Sequence, residues 1–256
     1  MLTTTSLFFV CSGFAIALII ANNLTHNKQS MKIMNVVWVL TALWASYLAL
    51  WAYFRFGKEN KQKEKSMDMA SDMKMDTDME KNMDMQDMKM QDMPMDMPMT
   101  MPMGHNNRPH WQSIALSALH CGAGCTLADI IGEWFTYYFP ISIGGSMIIG
   151  NWIFDFILAL LIGVYFQFYA IREMEHITVS AGLTRAFKAD FFSLLSWQIG
   201  MYGWMAIVYF LIFKDIPLPK NTWTFWFMMQ IAMLVGFVCA YPMNALLIKL
   251  GVKKGM

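Results

Sequence analysis

Apolar residues gather into six long runs, at 2–21, 34–56, 111–139, 141–170, 191–213 and 223–249, parted by polar stretches of unequal length. Each run holds about 20 residues or more, enough for a helix to cross a hydrocarbon layer roughly 30 Å thick. None alternates apolar and polar positions as a barrel strand does. The pattern predicts an all-α integral membrane protein with six transmembrane helices. The first run has no positive stretch before Leu7 and no small-x-small site near Ala21, so it is expected to be a membrane span and not a cleaved signal.

The polar stretches divide the chain into three parts. Residues 1–56 read as a two-helix transmembrane hairpin, 57–110 as a linker, and 111–256 as a four-helix core. Six spans put both ends on one side. That side carries Arg55, Lys58, Lys61, Lys63, Lys65, Arg108, Arg172, Arg185, Lys188, Lys249, Lys253 and Lys254, against Lys28, Lys32, Lys214 and Lys220 on the other. Positive loops face the cytoplasm, so both termini and the linker are expected there, with the protein in a cytoplasmic membrane. Composition agrees: 57% of the 256 residues are hydrophobic, 14% are charged and the net charge is +1. Such a balance gives no footprint for nucleic acid, and the expected partner is the lipid bilayer. The cysteines Cys11, Cys121, Cys125 and Cys239 all fall inside apolar runs, which excludes a secreted disulfide framework.

The linker is the first place where candidate chemistry changes the picture. Fifteen methionines stand between Met67 and Met103, many spaced M-x-M, with nine acidic residues and three lysines among them. Apart from Ala70, no aliphatic or aromatic residue is present to build a core, so the segment is expected to be disordered. A thioether is a soft, neutral donor suited to Cu(I) and Ag(I). In an extended chain, M-x-M places both sulfurs on one side. Met93, Met95, Met97, Met99, Met101 and Met103 form the densest part, and His105 and His110 follow. The acids add a field that gathers cations. The competing reading is a low-complexity tract that absorbs oxidation.

The second place is HCGAGCTLADIIGEW, from His120 to Trp134, inside the third run. Residues four apart share a helix face, so Cys121, Cys125, Asp129 and Glu133 make one stripe, with His120 beside its start. Ionisable groups within a membrane are costly and mark sites or pathways. Two thiols with a nearby imidazole suit Cu(I) or Zn(II). C-x-x-x-C is not the redox C-x-x-C, and a helical pair at this spacing is too far apart for a relaxed disulfide. Asn151 and Asp155, again four apart, can face the acidic end of the stripe across the short connection after Pro140. Met201/Met205 and Met229/Met233 repeat the spacing in the last two runs. Thioether rungs can serve a soft cation, although methionine also fills gaps in cores. Pro242 is expected to free a carbonyl near Cys239 and let Asn244 turn inward.

The HCGAGC…D…GEW motif, N-W-x-x-D from Asn151 to Asp155, R-E-M-E-H from Arg172 to His176 and the A-Y-P-M-N segment that ends at Asn244 together resemble a family of bacterial multipass membrane proteins known only as a domain of unknown function. The resemblance covers about residues 108–256. It implies the four-helix architecture and no activity.

These features favour a membrane copper homeostasis protein. The tract would collect Cu(I) or Ag(I). The metal residues would be His105, His110, His120, Cys121, Cys125, Asp129, Glu133 and Asp155 with the six methionines from Met93 to Met103. Copper(I) is the implied ion, with no organic cofactor and with a copper enzyme or exporter as the onward partner. Two alternatives remain open. One is a thiol-redox or quinone-linked membrane enzyme using Cys121 and Cys125. The other is a membrane chaperone that helps assemble a copper enzyme.

Overall fold

The computed structural model describes residues 2–27, 29, 31–57, 109–174 and 178–253. Among them are six long helices. They are α1 (Leu2–His26), α2 (Lys32–Ala52), α3 (His110–Tyr138), α4 (Met147–Met174), α5 (Val179–Ile207) and α6 (Trp223–Lys249). Single π-helical turns prolong α2 over Tyr53–Gly57 and α5 over Val208–Ile212. All six are long and apolar enough to cross a membrane, so this is an all-helical multipass protein with the six spans that the hydrophobic pattern predicts. Met93, Met95, Met97, Met99, Met101, Met103 and His105 lie outside the described residues.

Two helices begin elsewhere than their apolar runs. α5 starts twelve residues before the run at 191, and so takes in Arg185, Lys188 and Asp190. Lysine and arginine are good helix formers, and they interrupt hydropathy without interrupting backbone hydrogen bonding. α4 starts at Met147 because residues 143–146 form a tight turn. Ile143 and Ser146 exchange backbone hydrogen bonds of 3.2 Å, with Gly144 and Gly145 between them at φ of 61° and 78°. Positive φ at both central positions is what a primed turn requires and what glycine supplies.

α3 is the axis of the bundle. It packs against α2, α4, α5 and α6. Of its most apolar stretch 83% is buried, against 22–61% in the other spans. Its sequence explains this position. Ala115, Ser117, Ala118, Cys121, Gly122, Ala123, Gly124, Cys125, Thr126 and Ala128 are small and buried, and small side chains let helices approach closely where lipid provides no hydrophobic drive for association. A Cβ on Gly124 would lie 2.9 Å from Cα of Gly163 on α4, so those two backbones touch. Gly122 receives the ring of Trp197 from α5, which also lies against Gly236 of α6 and edge-on to Trp44 of α2 at 5.6 Å.

The hairpin of α1 and α2 belongs to the same compact unit as α3–α6. α1 packs on α2 and α6, and α2 on α3. Inside α2, Ser46 has φ 43° and ψ −117°, a break in the helix at a buried residue. Three residues earlier, the Leu43 carbonyl accepts Gln230 Nε2 of α6 at 2.6 Å. In α6, Pro242 lacks the N–H that a helix interior needs. Nearby, the Cys239 carbonyl accepts Ser196 Oγ at 2.9 Å, and Asn244 is fully buried and donates to Ser193 Oγ at 2.6 Å.

The α3–α4 crossing yields a direct test. Gly124→Val should cost about 1–3 kcal/mol through forced separation of the two backbones. Gly203→Ala, at an α5 position facing open space, should cost nothing. Thermal unfolding in detergent would show both.

Candidate functional site

The stripe in HCGAGCTLADIIGEW is a buried polar column along α3. Ser117, His120, Cys121 and Cys125 are fully buried, Asp129 is 1% exposed and Glu133 is 6% exposed. From Ser117 to Glu133 the helix rises about 24 Å at 1.5 Å per residue, most of the thickness of a hydrocarbon core. His110, the first residue of α3, is exposed and stands apart from the column.

Each section of the column meets different neighbours. At one end, Lys253 and Asp190 form an ion pair of 3.2 Å between side chains with no solvent exposure, and Lys253 Nζ also donates to the Ser117 carbonyl at 3.4 Å. Lys253 gets there because the chain reverses after α6. Gly251 takes φ 70°, and the amides of Val252 and Lys253 both donate to the Leu247 carbonyl at 3.0 and 3.2 Å. A left-handed glycine just past a helix end is a common way to stop and turn a helix. Next along α3, the His120 ring leans toward Phe166 of α4 at 6.4 Å between centroids. The Phe166 backbone lies near the imidazole, yet neither ring nitrogen meets a partner in hydrogen-bonding geometry. Cys121 and Cys125 are reduced, buried and within hydrogen-bond reach of each other.

The far end is acidic. Asp155 of α4 enters beside Gly132, where a Cβ would collide with its carboxylate. There its carboxyl group lies close to that of Glu133. Lys220, from the segment between α5 and α6, pairs with Glu133 and donates to Thr136 Oγ1 at 2.6 Å. With the Asn151 amide turned to satisfy both its ends, its oxygen accepts from Lys220 at 3.0 Å. Asn151 and Asp155 thus reach the acidic end, as their spacing suggested. Neither oxygen of Asp129, between this group and the thiols, has a hydrogen-bond partner.

Buried polar side chains in proteins are nearly always hydrogen-bonded, and inside a membrane an unpaired one marks a site or pathway. Here His120, Asp129 and Gln198 are at most 1% exposed and unpartnered at every polar side-chain atom. Of these, His120 and Asp129 lie along the column, a track suited to a proton, water or a cation. They do not form a ready coordination sphere. Among the described residues, no three His, Cys, Asp or Glu side chains are arranged to hold a metal ion. The thiols sit as a pair, and the carboxylates gather a turn or more farther along.

Three participants escaped the sequence reading: Asp190, Lys220 and Lys253. Asp190 stands just before the apolar run at 191, and the lysines read as loop charges that orient the chain. The one available signal was glycine just after an apolar run with lysine two residues on, a pattern that lets the chain fold back.

Residues 110–253 match the family described as Domain of unknown function (DUF4396). The chain belongs to that family. No curated protein and no solved structure matches it. The DUF4396 region starts at the first residue of α3 and ends on Lys253, so it contains the whole column and both ion pairs. The α1–α2 hairpin and the methionine tract lie outside it.

Lys253→Met would leave Asp190 charged, buried and alone. It should lower stability by about 3–5 kcal/mol, the usual cost of breaking a buried pair from one side. Asp190→Leu with Lys253→Met should recover most of that loss. Unfolding of the three proteins in one detergent measures the effect.

Proposed function

We propose that this protein handles a soft monovalent metal ion, Cu(I) or Ag(I), in a bacterial cytoplasmic membrane. The methionine tract collects ions, and the column along α3 carries or hands them on. The observation that supports this most is the buried thiol pair of Cys121 and Cys125, flanked by a free imidazole and by Asp129. Thiolate and thioether sulfur select Cu(I) over the harder divalent ions. A two-coordinate ion between facing thiols is ordinary Cu(I) chemistry and needs no third donor. His120 stands beside the pair as an accessory ligand, and Asp129, Glu133 and Asp155 offer charge compensation or a proton in exchange. The tract ends at Met103, shortly before the start of α3 in sequence, so collected ions pass from it toward the column.

The charge pattern of the loops supports a cytoplasmic location for the tract and the start of α3. Transport in this reading is passive, ion-coupled or driven by a partner, since the sequence holds no phosphate-binding loop. Handing the ion to a copper enzyme during its assembly uses the same residues, and co-purification with such an enzyme would identify that variant of the role.

An anaerobic Cu(I) titration against a chromophoric chelator tests the proposal on detergent-purified protein. Deleting residues 67–103 should remove several weak equivalents. Cys121→Ser with Cys125→Ser should remove one tight equivalent and leave the weak ones. If the full chain fails to compete with the chelator, the copper reading is wrong.

A further inference from the structure

A cavity of about 340 Å³ opens among α1, α2, α3 and α6, on the flank of the column. Its lining includes Thr126 and Asp129 of α3 but neither thiol. The volume is within the range of small-molecule sites. Four tryptophans shape it: Trp44, Trp134, Trp223 and Trp226, with Trp134 and Trp226 stacked at 6.2 Å. The rim is open on the outer face of the bundle, where Phe14 is 57% and Trp223 46% exposed. On a membrane protein that face meets lipid, so a ligand arrives from the bilayer.

Asp129 is the sole charged residue in this wall among the described residues, and both its oxygens lack a partner. Thr126 and Gln230 beside it are already engaged. Thr126 Oγ1 donates to the Gly122 carbonyl at 2.7 Å, and Gln230 Nε2 donates to the Leu43 carbonyl at 2.6 Å. The nearest ammonium, that of Lys220, is held by Glu133 and Thr136. The wall therefore presents one unpartnered carboxyl group beside four indole rings, whose N–H groups, the unpartnered Trp44 Nε1–H among them, are its donors. An apolar tail would fill the space and leave Asp129 unanswered. A quinone could take an indole N–H but would leave the carboxyl group of Asp129 unanswered. A cation answers both the carboxylate and the aromatic faces, which attract positive charge.

We infer that the cavity bounded by Asp129 and the four tryptophans binds a lipophilic organic cation, an amine or quaternary onium carried on an apolar body. Two walls of the site, Val10 and Phe14 of α1 and Leu43 and Trp44 of α2, come from the hairpin, which lies outside the DUF4396 match. The inference rests on the cavity and is independent of the metal reading.

The test uses the full chain in detergent with a metal chelator present. The probes are tetraphenylphosphonium and its neutral relative triphenylphosphine oxide, followed by equilibrium dialysis and tryptophan quenching. The expected result is saturable binding of the cation, weakened about tenfold or more by Asp129→Asn, with the neutral probe indifferent to that change. Met233→Trp, which fills the cavity without touching the carboxylate, should abolish binding. Cys121→Ser with Cys125→Ser should leave it intact, which separates this site from the proposed copper site. If Asp129→Asn does not fold, the unaltered protein decides: at least a tenfold preference for the cation supports the site, and equal binding of the two probes overturns it. No saturable binding, or equal cation affinity in a folded Asp129→Asn, overturns it as well.

Discussion

Hydrocarbon provides no hydrogen bonds, and α3 carries histidine, two cysteines, aspartate and glutamate through it. A helix with that content cannot face lipid. The other five helices are arranged around this constraint. Small residues let α3 sit at the centre, Gly124 lets α4 come close at Gly163, and Gly132 makes room for Asp155. Burial of α3 in turn exposes the apolar flanks of its neighbours, which is why α4, α5 and α6 read so clearly as membrane spans.

The column is held differently at its two ends. Near Ser117, the ion pair of Asp190 and Lys253 is sealed from solvent. Near Thr136, Lys220 retains 15% exposure while neutralising Glu133. Between them lie groups with open hydrogen-bonding capacity. A track closed at one end and half-open at the other suits a particle that exchanges with one aqueous phase more readily than with the other. Asp129 sits where this track and the lipid-facing cavity come together, so occupation of either alters the charge felt by the other.

Much of this was legible in the chain. Six spans followed from hydropathy. The stripe followed from spacing by four, and the approach of Asp155 from N-W-x-x-D and a short turn. What could not be read was any partner supplied from far along the sequence. Lys253 and Lys220 look like ordinary flanking charges until the fold brings them inward, and Asp190 hides in a helical extension that hydropathy assigns to a loop. Adjacent residues on a regular helix point about 100° apart, so His120 turns toward Phe166 while the thiols face each other. The methionine tract remains legible as chemistry only, since its composition speaks of ligands and not of shape.

Lys253 follows Asp190 by 63 residues, and this separation bears on how the protein is made. A ribosome delivers α5 to the bilayer well before it has synthesised the lysine that neutralises it. Through that interval Asp190 is held by the insertion machinery, by water at the interface or by a proton. A nascent chain halted before Gly251 would therefore leave Asp190 without its lysine partner.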